Sequence, residues 1–170
     1  MAAEVVKLKK HPILTAIGIL FLIVLVSNMM NMGGSLPKTP ATTAKPKTVT
    51  ASMVADMIDD VFKKNFAYDY ETALDEKEGI FTINVWSPDI NADAIERTKE
   101  SGKLTVWNNM VSDLASTVST AQNAFNENGH DEIVVVLNLC DPDDHSTRFL
   151  TIANGIAGYD VINDIDLLNK

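Results

Sequence analysis

Apolar residues fill one unbroken stretch near the start of the chain, then break into short periodic runs separated by polar turns. Residues 13–32 carry no charged side chain. Twenty residues at about 1.5 Å each make a helix of about 30 Å, the thickness of a bilayer's hydrocarbon core. The stretch is therefore expected to be a single transmembrane helix. Lys7, Lys9 and Lys10 precede it, so the positive-inside rule makes residues 1–12 a short cytoplasmic N-terminus and puts the rest of the chain outside. Residues 26–29 and 31–34 match a small-x-small cleavage site poorly, and no cysteine stands just after the run for lipid attachment, which favours an uncleaved signal-anchor.

Residues 33–49 are rich in Pro, Thr and Lys, with Pro37, Pro40 and Pro46 spaced through them. Such a stretch lacks the large apolar groups that offset ordering entropy, and proline extends it to about 3.1 Å per residue. It reads as a linker to a domain over residues 50–170.

Inside that domain the period alternates between helical and strand-like. Val54, Met57, Ile58, Val61 and Phe62 recur at helical spacing behind a Thr50 or Ser52 cap, with Asp56, Asp59, Asp60 and Lys63 on the other face. Tyr68, Tyr70, Thr72 and Leu74 alternate with Asp69, Glu71 and Ala73, and Phe81, Ile83 and Val85 with Thr82, Asn84 and Trp86, which predicts a hairpin turning at 75–79. A short helix over 91–99 precedes the longest amphipathic run. There Trp107, Met110, Val111, Leu114, Val118, Ala121 and Phe125 form one stripe of about five turns, stopped by Asn128-Gly129. Residues 132–139 form a β-branched strand, a turn follows at 141–144, and residues 148–152 return as a second hairpin. Ile156, Tyr159, Val161 and Ile162 allow one more edge strand. The expected fold is α+β: two layers in the order helix-hairpin-helix-hairpin, with about four mostly antiparallel strands.

Charge divides the chain. Residues 1–50 hold six lysines and one acid, a formal +5; residues 51–170 hold eight basic and twenty-two acidic side chains, a formal −14. The two add to the whole-chain value of −9. An acidic domain repels nucleic-acid phosphates and favours a partner with a basic surface or a cation. The helix face bearing Asp56, Asp59 and Asp60, or a sheet edge, is the expected contact surface.

Candidate chemistry is sparse. Asp141, Asp143, Asp144 and His145 form the densest cluster, and three carboxylates within four residues suit a hard cation such as Ca²⁺. The same residues also make good turn chemistry, because Asp bonds its own backbone and Pro142 pre-sets φ. His130 and His145 are expected at opposite ends of one hairpin, too far apart to share a metal. Cys140, the lone cysteine, ends an apolar strand and reads as a buried thiol. Trp107 belongs to the core stripe, whereas Trp86 falls on the opposite side of its strand from Phe81, Ile83 and Val85 and is the one candidate for ligand stacking.

No phosphate loop, zinc-protease helix, paired-cysteine motif or nucleophile elbow occurs. No catalytic, cofactor-binding or metal-ligating residue is assigned, and no cofactor is expected. None of the fourteen asparagines opens a glycosylation acceptor, which with the absence of a disulfide favours a bacterial envelope. Together these features predict a single-pass membrane protein presenting a small, acidic, non-enzymatic interaction domain outside the membrane. The alternative is an extracytoplasmic small-ligand or Ca²⁺-binding module using the Asp141–His145 turn.

Overall fold

The structure is a computed structural model that describes residues 49–66 and 68–169. Helix α1 (Ala51–Asn65) starts where the Thr50 hydroxyl accepts the Met53 amide at 3.3 Å, and Lys63 and Lys64 oppose the dipole at its last turn. Its buried stripe is Val54, Ala55, Ile58, Val61 and Phe62. Strands β1 (Asp69–Asp75) and β2 (Ile80–Trp86) pair antiparallel in unbroken register, from Asp69 opposite Trp86 to Asp75 opposite Ile80. Asp75 Oδ1 accepts the amides of Lys77 and Glu78 in the turn between them. Gly79 then enters β2 at φ +68°, and a Cβ there would stand 2.8 Å from the Glu132 carbonyl oxygen. Only glycine fits that backbone approach.

Two helices then carry the chain back along the sheet. Asn91 caps α2 (Ala92–Ser101) by accepting the Ala94 amide at 3.0 Å, and Gly102 closes it at φ +63°. Helix α3 (Thr105–Glu127) buries Trp107, Met110, Leu114, Val118, Ala121 and Phe125 of the stripe read from the sequence and leaves Val111 half-buried. Strand β3 (Val134–Cys140) then lies beside β2 and parallel to it, Ile80 opposite Val134 through Val85 opposite Leu139. Strands β4 (Arg148–Ala153), β5 (Ile156–Asp160) and the two-residue β6 (Ile165–Asp166) follow as an antiparallel meander. The six-stranded sheet is ordered β1-β2-β3-β4-β5-β6.

Two expectations are corrected. The helix-hairpin-helix-hairpin order with four strands is replaced, among the described residues, by α-β-β-α-α-β-β-β-β and a six-stranded mixed sheet. The crossover is the cause. Two intervening helices return the chain to the end of the sheet where β2 began, so the next strand runs parallel. The single edge strand allowed by Ile156, Tyr159, Val161 and Ile162 is two strands, β5 and β6, and Gly158 and the buried Asp160 interrupt the alternating apolar pattern that would set their bounds.

The second correction concerns the membrane. The expected span at 13–32 lies outside the described residues, as do its flank at 1–12 and nearly all of the linker. No helix among the described residues is long and apolar enough to cross a membrane. Helix α3 has the length, at 23 residues, but it sets Ser112, Asp113 and Ser116 opposite its apolar stripe. The single-pass location, with a cytoplasmic N-terminus, a signal-anchor and an extracytoplasmic domain in a bacterial envelope, therefore finds no support in the fold.

Candidate functional site: the open face of the sheet

Strand alternation divides the sheet into two chemically different faces. Toward the helices point Phe81, Ile83 and Val85 of β2, Val135, Leu137 and Leu139 of β3, and Leu150 and Ile152 of β4, all buried. Their alternates form the other face, where Glu71 is exposed and Thr82, Asn84, Val134 and Val136 are half-buried.

One transverse row crosses that face through all six strands. Glu71, Asn84, Asn138, Thr151, Tyr159 and Asp166 stand opposite one another in successive registers. Four of them are linked by hydrogen bonds of one direction. Thr151 Oγ1 donates to Asn138 Oδ1 at 2.9 Å, Asn138 Nδ2 to Asn84 Oδ1 at 2.9 Å, and Asn84 Nδ2 to Glu71 Oε1 at 2.9 Å. Every dipole points toward the terminal carboxylate, so each bond polarises the next. Asn138 and Thr151 are buried, and the chain satisfies them. At the far end, Asp166 accepts the amides of Leu168 and Asn169 at 3.2 Å.

Acidic groups concentrate at the β1 side. Asp69, Glu71 and Asp75 are all exposed on the outward face of this edge strand, with Ala73 between the last two. The α1 acids are arranged differently from the sequence expectation. Asp56 and Asp60 are exposed, but Asp59 is half-buried and joins the helix to β1. Its Oδ1 accepts the Thr72 hydroxyl at 3.1 Å, its backbone carbonyl accepts the Tyr70 hydroxyl at 3.2 Å, and its Oδ2 pairs with Lys63.

Partial burial works to raise the Asp59 carboxyl, but the hydrogen bonds from Lys63 and Thr72 and the Lys63 charge outweigh it and hold the pKa below 3.8. The folded value is depressed, so this contribution is fully present above pH 3.8 and fades as pH falls through the folded pKa. Urea midpoints of the native chain and Asp59→Asn should accordingly differ at pH 6 and converge toward pH 2. A gap that stays constant on acidification contradicts the coupling.

The Asp141–His145 segment is a turn held by its own carboxylates. Asp141 Oδ1 accepts the Asp143 amide at 2.9 Å. Asp144 Oδ1 accepts the amides of Ser146 and Thr147 at 2.8 Å, and its Oδ2 accepts the Thr147 hydroxyl. Those bonds, the Thr147 amide foremost, lower the Asp144 pKa. Carboxylate oxygens spent on local N–H groups are poorly placed to converge on a cation, and no cluster of three His, Cys, Asp or Glu side chains forms a metal site among the described residues.

His145, at φ +54°, lays its ring on Trp86 with centroids 4.2 Å apart and planes at 27°. The aromatic face of Trp86 is thus stacked by the protein's own histidine. His130 stands elsewhere, between α3 and β3, with Nε2 3.1 Å from the Val49 carbonyl. Cys140 is 2 % exposed, and burial raises its thiol pKa, so little of it is thiolate. Trp107 is buried, and its indole N–H donates to both carboxylate oxygens of Asp160, at 3.0 and 3.1 Å.

The transverse row is not evident from the sequence, although a signal for it is there. Asn84 and Asn138 each interrupt an apolar strand, and a polar residue inside such a run asks for a partner. That they partner each other follows only from the parallel register of β2 and β3. The fold and its site define a one-sided mixed α/β sheet domain with an acid-bordered open face. No family model, no curated protein and no solved structure matches the chain.

Proposed function

We propose that this chain is a non-enzymatic interaction protein whose acidic domain docks a partner bearing a basic surface on the open face of its sheet. The observation that carries this reading is the face itself. Among the described residues α1 and α3 pack against one side of the sheet, and on the other a hydrogen-bonded polar row, buried at Asn138 and Thr151, runs out to the exposed Glu71, flanked on β1 by Asp69 and Asp75. The formal −14 over residues 51–170 supports a basic partner, because like-charged surfaces repel one another and opposite charge steers association. His130, His145, Cys140 and the acidic turn are dispersed or engaged in local structure, as their contacts and burial describe.

Affinity capture of the full chain from its own source, at low and at high salt, tests the proposal. The expected result is a co-purifying protein with a basic patch, released as ionic strength approaches about 0.5 M because exposed charge pairs are screened there. Repeated recovery of the chain alone, or of a partner held equally well at high salt, contradicts it.

A further inference from the structure

The two edges of the sheet are unlike. Strand β6 has two residues, too short to template another strand. Strand β1 has seven, pairs with β2 in register without a bulge, contains no proline, and ends the strand order. Its helix-facing residues Tyr70, Thr72 and Leu74 carry no charge, so the inward charge that commonly blocks an edge is absent. The outward positions Asp69, Glu71 and Asp75 are carboxylates. A second copy of this chain adding at β1 would bring carboxylates alongside carboxylates, which is destabilising. A strand with Lys or Arg at alternate positions meets a carboxylate at three of the four outward positions. Ala73 leaves a small apolar bed between Glu71 and Asp75 for the alkyl stems of such side chains.

We propose that β1 is a docking strand, and that an extended peptide segment with alternating basic residues adds to it as a seventh strand. This rests on the reading of the domain as a binder of basic partners, and it names the element and the mode: backbone bonds to the sheet edge give affinity, and the outward carboxylates choose the sequence.

Hydrogen exchange on the full chain tests it, with a Lys-Val-Lys-Val-Lys-Val-Lys peptide as probe. Two control peptides carry Glu in place of Lys, or Pro in place of Val. The lysine-valine peptide should slow exchange across residues 69–75 by about tenfold or more, and added salt should weaken the effect. Neither control should do so, the first lacking the charge and the second unable to form the ladder. The double variant Glu71→Lys, Asp75→Lys should lose the protection while exchange over 134–140 stays native, which shows that its sheet is intact.

Equal protection by the proline peptide would mean charge attraction without strand addition and would overturn the proposal. Protection confined to β2–β4 would also overturn it, while leaving a basic partner on the open face. No response to any basic peptide, with the chain captured alone from its source, would remove both readings.

Discussion

Asp160→Ala should cost roughly 3–5 kcal/mol of stability, because it strands several buried donors at once. Asp160 is 1 % exposed and accepts five hydrogen bonds from four donor groups. Two come from the Trp107 indole, 53 positions away in sequence, and two from the amides of Ile162 and Asn163 at 2.9 and 3.1 Å. The fifth comes from the Asn163 side chain at 2.7 Å. The carboxylate therefore joins the first turn of α3 to the end of β5 and folds the following turn around itself.

Alanine removes every acceptor and leaves the indole and backbone N–H groups inside the protein without partners. Against a total stability of about 5–15 kcal/mol for a domain of this kind, that is a large fraction. Trp107→Phe removes a single donor and should cost only about 1–2 kcal/mol. Urea unfolding at neutral pH reads both, with the m-value unchanged if only stability moves. An Asp160→Ala midpoint within experimental error of the native one would contradict this role.

Phe125→Ala should have the second large effect, about 3–5 kcal/mol. Phe125 closes the apolar stripe of α3, is fully buried, and meets Phe81 of β2 with ring centroids 5.4 Å apart at 54°. Phe81 stands opposite Val135 in the parallel pair, so this contact presses the crossover helix onto β2 and β3 near their N-terminal ends. Truncation removes the transfer free energy of the ring and leaves a cavity that strands on a fixed register cannot collapse into. The thermal midpoint should fall by roughly 10–20 °C for a domain of this size. Ser116→Ala, at an exposed position on the same helix, should stay within about 0.5 kcal/mol of native. Similar losses for the two variants would mean that α3 does not carry the core.

How much of the fold is legible in the sequence depends on which interaction is asked about. The 3.6-residue stripe from Trp107 to Phe125 and the alternation of Phe81, Ile83 and Val85 report burial of a local face, and local burial is written in local periodicity. Which strand sits beside which is not. Residues 132–139 read equally well as one arm of a hairpin or as a parallel neighbour of β2, and only the two-helix crossover decides. The end of the sheet is masked by chemistry. Asp160 occupies a core position because Trp107 satisfies it, and that pairing spans too much sequence to be inferred from spacing.

The candidate site divides in the same way. The excess of acid is plain from composition, and Asp69 and Glu71 from alternation, whereas Asp75, read as the first residue of the turn, ends the strand. The hydrogen-bonded row from Thr151 to Glu71 needs four strands in register. Asp59, expected as a free surface charge, is partly engaged because Thr72 and Lys63 reach it. Trp86, the one candidate for ligand stacking, is stacked by a histidine that the left-handed turn at residue 145 delivers to it.

Zero-length carbodiimide coupling checks whether the partner lies on the acidic side of the sheet. The reagent joins carboxylates to lysines that lie against them, and mass spectrometry of the full chain captured with its partner locates the joined residues. Crosslinks from partner lysines should fall on Asp69, Glu71 and Asp75. Crosslinks confined to Asp56 and Asp60 on the helix side, or to the Asp141–Asp144 turn, would contradict that placement.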